Sequence, residues 1–291
     1  MDYPIGGARA IVDALLRGLE RNGGRLQLKT RVKELVRENG RVSGVRLQDG
    51  STVRAKRCVI STASIWDTQE LLGPGALTGA AERWSEAQKA VEPCPSFMHL
   101  HLGFKSDGLD PLQCHYMFMD DWARGVDGEE NAALVSIPTA ADPSLAPSGY
   151  HSMHIYTPAT EPWSRWEGVE RGTPEYEALK AERTEFLWKV AERVIPDIRE
   201  RAVLSLEGTP LTHRRFLNTH KGTYGPAIRA DAGDMFPPPS TPIPGLVLAG
   251  DATFPGIGVP AVAASGLVAA HSALGLETLP KHLELLERVG G

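Results

Sequence analysis

The residues best placed for chemistry lie in the stretch GLVLAGDATFPGIGVPAVAASGLVAAHSALG, from Gly245 to Gly275. Leu246-Val247-Leu248-Ala249 is short and wholly apolar, as a buried parallel strand would be. Gly250 and Asp251 follow where such a strand would end. Pro255-Gly256-Ile257-Gly258-Val259-Pro260 then reads as a turn whose small residues let backbone approach a ligand closely. An Ala-rich helix is expected from Pro260 to Leu274, with proline placed where its missing N–H costs nothing. Strand, acid, glycine turn and helix N-terminus together make a place for an anionic or hydroxyl-rich ligand. Taken alone, the same residues are also compatible with a buried βα unit that binds nothing.

A second string carries polar chemistry: Glu207 to Phe216 (EGTPLTHRRF), followed by Lys221-Gly222-Thr223-Tyr224-Gly225-Pro226. It sets two arginines, an aromatic residue and a glycine turn just ahead of the apolar strand; the alternative is a polar surface hairpin. Glu207, Arg215 and Tyr224 are its candidate substrate-lining residues, and the sequence identifies no general acid or base. His99/His101 and His151/His154 lack carboxylate or cysteine companions at ligand spacing, so they read as core or surface histidines and no metal is expected.

Composition narrows the field. A net charge of −5 gives no electrostatic case for nucleic acid or for an anionic membrane surface. Cys58, Cys94 and Cys114 lie far apart, which argues for a reducing compartment and against a zinc site or disulfide framework. No apolar stretch is long enough to span a membrane. The opening, Met1-Asp2-Tyr3-Pro4-Ile5-Gly6-Gly7, has the pattern of neither a signal nor a transit peptide and reads as the interior of a longer chain.

The string from Gly245 to Gly275 resembles the carboxyl-terminal flavin signature of FAD-dependent amine oxidases and of carotenoid desaturases and isomerases. The opening YPIGGARAIVDALLRGLERNGGRLQLKTRVKELVRENGRVSGVRLQDG and the string GTPLTHRRFLNTHKGTYGP are similar to the carotenoid (prolycopene) isomerase and phytoene desaturase family. Trp66-Asp67-Thr68, Asp120-Asp121-Trp122, Ser136-Ile137-Pro138-Thr139 and Ser144-Leu145-Ala146-Pro147 extend the likeness along nearly the whole chain. The resemblance implies FAD as cofactor, with Asp251 on its ribityl-pyrophosphate part and Val32 touching adenine through its backbone. Gly258, Val259, Pro260 and Ala261 would frame the flavin N1–C2=O edge, with Gly250 and Gly256 as further cofactor-binding residues; Pro260 has no N–H, so the amides of Val259 and Ala261 are the donors. Ile257 departs from the family, where a polar residue is expected.

These residues need elements to hold them. Ala8, Ile11, Val12, Leu15, Leu16 and Leu19 have helical spacing from Gly7, closed by Asn22-Gly23-Gly24. Arg25–Val32 alternates as a strand. Asn39-Gly40 and Asp49-Gly50 predict a meander over Arg31–Val36, Arg41–Leu47 and Thr52–Val59, and residues 59–63 a short return strand. Ala80–Val91 is expected to be helical, and Pro95–Phe104, Gln113–Met119, Ala132–Ile137 and His151–Thr157 to be strands. Thr173-Pro174 opens the clearest helix, with Tyr176, Leu179, Phe186, Leu187, Val190 and Val194 inward and Pro196 at its end. The fold class is therefore α/β: by resemblance, an incomplete FAD-binding domain of the glutathione-reductase and amine-oxidase type at 1–65 and 240–291, with an inserted mixed-sheet substrate domain at 66–239.

No GxGxxG follows an early strand, so the family's pyrophosphate-holding unit is absent from this sequence. The expectations are a fragment of a longer enzyme, a partner chain that supplies the missing half, or a flavin-free binding remnant without activity. The resemblance implies isomerisation of a carotenoid polyene by reduced FAD, the substrate being drawn from a membrane into a tunnel between two domains. A carotenoid desaturase or a retinol-saturase-like reductase is the alternative. A plastid, membrane-associated location is implied for a plant protein and a cytoplasmic one for a bacterial protein.

Overall fold

The computed structural model describes residues 3–73, 75 and 77–275. The chain forms two compact units, Met1–Leu28 with Pro95–Leu217 and Lys29–Cys94 with Asn218–Gly291. It begins in the first unit with α1 (Gly7–Arg21) and passes to the second with β1 (Val32–Glu38), β2 (Arg41–Leu47), β3 (Thr52–Arg54), β4 (Val59–Ser61), α2 (Ile65–Leu71) and α3 (Ala80–Lys89). It returns to the first with β5 (His99–Lys105), β6 (His115–Met119), β7 (Ala132–Ser136), β8 (Tyr150–Tyr156), α4 (Pro174–Val194), α5 (Ile198–Arg201), β9 (Ala202–Gly208) and α6 (Pro210–Phe216). Finally β10 (Leu246–Leu248) and α7 (Val259–Leu274) complete the second. Helices and strands thus mix throughout, as the α/β reading expects.

In the first unit a five-stranded antiparallel sheet runs in the order β6-β7-β8-β5-β9. Alternation along β5 sends Leu100, Leu102 and Phe104 into the core and leaves His99 and His101 on the other face. The core side packs on α4 through Leu187, Val190 and Ala191. Each fully buried Leu, Val or Phe contributes roughly 1.5–3 kcal/mol. Helix α4 starts where Thr173 accepts the Tyr176 amide, has Pro174 in its first turn, and ends as Ile195 becomes extended ahead of Pro196. Within this core Arg183 reaches Glu161 at 2.8 Å, and Glu161 also accepts the Trp166 indole N–H at 2.8 Å.

In the second unit β1-β2-β3 form the antiparallel meander, and β10 pairs in parallel with β4, Leu246 opposite Val59. Leu35, Val42, Ile65, Trp66, Ile243, Leu246 and Leu248 make its core. The expected strand over Arg25–Val32 is not formed before Val32. Leu26 and Leu28 are exposed and Lys29 takes a left-handed φ of 53°. Alternation alone makes no strand without a neighbour to complete its ladder, and no strand pairs with residues 25–31 among the described residues. Strand β3 likewise ends at Arg54 rather than running to 59.

Candidate functional site

The site is built on the β4–β10 ladder. Leu246, Val247 and Leu248 are all buried, and the ladder continues one step past β10, where the Ala249 amide donates to Ser61 O at 2.9 Å. Gly250 then turns with φ 116°, a backbone that only glycine adopts without strain. Its amide donates to Ser265 Oγ at 3.0 Å, and its carbonyl accepts from Thr253 Oγ1 at 3.1 Å. Ser265, on α7, and Thr253 are both buried and hydrogen-bonded to each other at 2.7 Å. The helix therefore clamps the turn that presents Asp251.

Asp251 is half-buried. Burial pushes its carboxyl above the usual carboxylate range, while the amides of Asp251 itself and Ala252 pull back. Gly225, with φ 126°, lies close against this turn: a Cβ there would meet Asp251 O at 3.3 Å and the Ile257 side chain at 3.5 Å. Cys94 belongs to the same cluster. Its amide donates to Gly225 O at 2.9 Å, and Thr223 Oγ1 donates to Cys94 O at 2.6 Å. Burial pushes the Cys94 thiol up, opposed by hydrogen bonds from Thr223 and the Tyr224 backbone and reinforced by the Asp251 charge. Such a cysteine is a thiol at neutral pH rather than a nucleophile.

Beyond Asp251 the chain passes Gly256, φ 123°, where a Cβ would come within 2.6 Å of the Phe236 ring. Gly258, φ 99°, caps α7 with open space beside it, since a Cβ there would meet nothing within 4 Å. No side chain caps α7 and its first turn carries no acidic residue, so the helix itself supplies no anion to its positive end. An exposed Val259 and a partly buried Ala261, the proline between them and a half-buried carboxyl upstream suit a ligand with a hydroxylated chain and a polar carbonyl edge. They fit the ribityl and N1–C2=O parts of a flavin. They offer no glycine cradle for its phosphates.

The remaining residues picked out from sequence fall in different places. Val32 opens β1 in the same unit as Asp251, half-buried and paired with Leu47. Glu207 sits on β9 opposite Leu100, on the sheet face that packs against α4, and its Oε1 accepts from Ser205 Oγ at 2.7 Å. Arg215 is exposed on α6, its guanidinium 5.6 Å from the Phe216 ring. Tyr224 is half-buried in the other unit, within the Thr223–Gly225 loop. The string of residues 207–226 is thus a strand, a helix and a loop divided between two units rather than a hairpin. Sequence reasoning missed Thr253, Ser265, Thr223 and the placement of Cys94. The hydroxyls spaced along the flavin-like string were the available signal.

The sequence pattern of the family described as flavin containing amine oxidoreductase matches residues 3–274. Prolycopene isomerase (chloroplastic) of Daucus carota is 39% identical over 95% of this chain and 45% of its own length. That of Arabidopsis thaliana is 37% identical over 98% of this chain and 48% of its own length. A neurosporene-forming phytoene desaturase of Rhodobacter capsulatus is 27% identical over 91% of this chain and 52% of its length. Among solved structures, an oxidoreductase from Methanosarcina mazei superposes with a TM-score of 0.58 at 21% identity, over 92% of this chain and 55% of that one. The chain spans about half the length of the curated relatives it matches.

Proposed function

The chain belongs to the flavin containing amine oxidoreductase family, and from that premise we propose that it is part of a flavin-dependent enzyme that isomerises cis double bonds of a carotenoid. The observation that carries this reading is the Asp251 turn clamped onto the uncapped α7, in a chain 37–39% identical to two prolycopene isomerases. When bound, FAD in its reduced form supplies electrons that transiently lower the order of a conjugated double bond. The protein residues do the rest. Asp251 holds the ribityl hydroxyls. The amides of Val259 and Ala261, at the positive end of α7, stabilise negative charge on the ring edge, each such dipole interaction being worth roughly 0.3–1 kcal/mol and more when buried. Gly250, Gly256 and Gly258 keep side chains out of that approach. Val32 is the proposed adenine-side backbone contact.

The substrate side belongs to the first unit. A groove of about 580 Å³, walled by Leu145, Pro147, Tyr150 and Leu204, gives a largely apolar surface of the kind a polyene needs. Glu207, Arg215 and Tyr224, the substrate-lining candidates of the sequence, are not among the residues that line this groove. No helix among the described residues is long and apolar enough to cross a membrane; uptake of the carotenoid by peripheral membrane contact is part of the proposal. By analogy with the chloroplastic relatives, we place the protein in a plastid if it is of plant origin and in the cytoplasm if bacterial. The phosphate-binding unit would come from a preceding segment or a partner chain.

The deciding experiment incubates the purified protein with reduced FAD and poly-cis-lycopene and follows the product by chromatography and mass. Isomerisation changes retention without changing mass. Loss of hydrogen would instead identify a desaturase, as the bacterial phytoene desaturases suggest. If neither product forms and no flavin is retained, a binding remnant is the correct description.

A further inference from the structure

The open face of the five-stranded sheet carries a group of histidines that the flavin reading does not use. His101 and His154 stand directly opposite each other across β5 and β8, and His99 lies two residues along β5 on the same face. The His101 and His154 rings stack at 4.2 Å, with 5° between their planes. His99 Nδ1 is 2.7 Å from His154 Nε2. One ring nitrogen from each of the three lies within 4.8 Å of the other two. Spacing along the sequence set these residues aside, because His154 reaches the other two only through strand pairing.

We propose that His99, His101 and His154 form a binding site for a borderline divalent cation, zinc being the best match. The ligand chemistry selects the ion: three imidazoles with no carboxylate suit Zn²⁺, Ni²⁺ or Cu²⁺ rather than Mg²⁺ or Ca²⁺. His99 Nε2 is buried and without a hydrogen-bond partner among the described residues. Zn–N bonds of about 2.0–2.1 Å put tetrahedral ligand atoms about 3.4 Å apart, so the rings, stacked in the ion-free structure, turn out of their stack to bring the three nitrogens onto one ion, with a fourth position left for water. His101 and His154 also line the apolar groove, so the ion would sit at its wall.

The test needs no activity and is independent of flavin. The full chain, stripped with a chelator, is titrated with Zn²⁺ by calorimetry and with Co²⁺ by visible absorption. One ion per chain is expected, with the absorption of a low-coordinate Co²⁺ site. His101→Gln and His154→Gln should each weaken binding at least tenfold, while His115→Gln, on β6, should leave it unchanged. Circular dichroism melts check that each variant is folded, and the double variant His99→Gln/His154→Gln provides a second reading if one single variant is unstable. Absence of a stoichiometric site in the folded parent chain overturns the proposal and leaves the rings as an aromatic floor to the sheet. Binding that survives all these substitutions overturns it too, since the metal would then be held elsewhere.

Discussion

Thr253 Oγ1 lies 2.7 Å from Ser265 Oγ, both residues buried, and the same serine oxygen accepts the Gly250 amide at 3.0 Å. A loop hydroxyl and a helix hydroxyl thereby tie the Asp251 turn to α7. Replacing Ser265 with alanine leaves the part-buried Gly250 amide without its acceptor, while the Thr253 hydroxyl keeps the Gly250 carbonyl. Ser265→Ala should cost about 1–3 kcal/mol in stability and release flavin more readily. Thermal melts with and without FAD check this; an unchanged flavin affinity would separate the clamp from the ligand.

Asp251 should show opposite effects on stability and on binding. Because its folded carboxyl pKa is raised, the folded state favours the protonated acid, and the stability this confers is lost as pH rises from the ordinary range through the raised value. Asp251→Asn should therefore raise the melting temperature of the flavin-free protein at pH 7 while weakening FAD. The two proteins should converge in stability on acidification. A variant that melts lower at every pH would show that Asp251 is simply structural.

Gly256 and Gly266 make a matched pair. At Gly256 a Cβ meets the Phe236 ring at 2.6 Å and φ is 123°, whereas at Gly266, inside α7, it meets nothing within 4 Å. Gly256→Ala should destabilise by at least about 1–3 kcal/mol, and Gly266→Ala should stabilise by roughly 0.5–1 kcal/mol. Chemical denaturation of both variants gives the comparison directly, and equal effects would contradict the geometry of the turn.

Arg183 and Glu161 are 4% and 2% exposed and 2.8 Å apart. Arg183→Met should cost about 3–5 kcal/mol by leaving a buried carboxylate unpaired. Arg183→Met/Glu161→Gln should cost clearly less, because the uncompensated charge is gone. A urea double-mutant cycle measures the coupling; purely additive losses would mean that the pair is not coupled.

Much of this protein was legible before folding. The Asn39-Gly40 and Asp49-Gly50 turns marked the meander, Thr173-Pro174 and Pro196 bounded α4, and the apolar run at Leu246–Leu248 led into α7. These features are local: turn glycines, capping residues and helix or strand periodicity act within a few residues, and the sequence by itself determines them. So too was the flavin-like order of acid, glycines and helix start. The strand misread at 25–31 shows the limit, since alternation says which face a residue would take but not whether a neighbour exists. Tertiary structure alone turned Glu207 toward the α4 side, because its register against Leu100 decides the face. It alone set Thr253 on Ser265, Cys94 beside Gly225, and His154 against His99 and His101. Those meetings depend on strand register and helix docking, which the packing of a whole core selects and no short stretch of chain encodes.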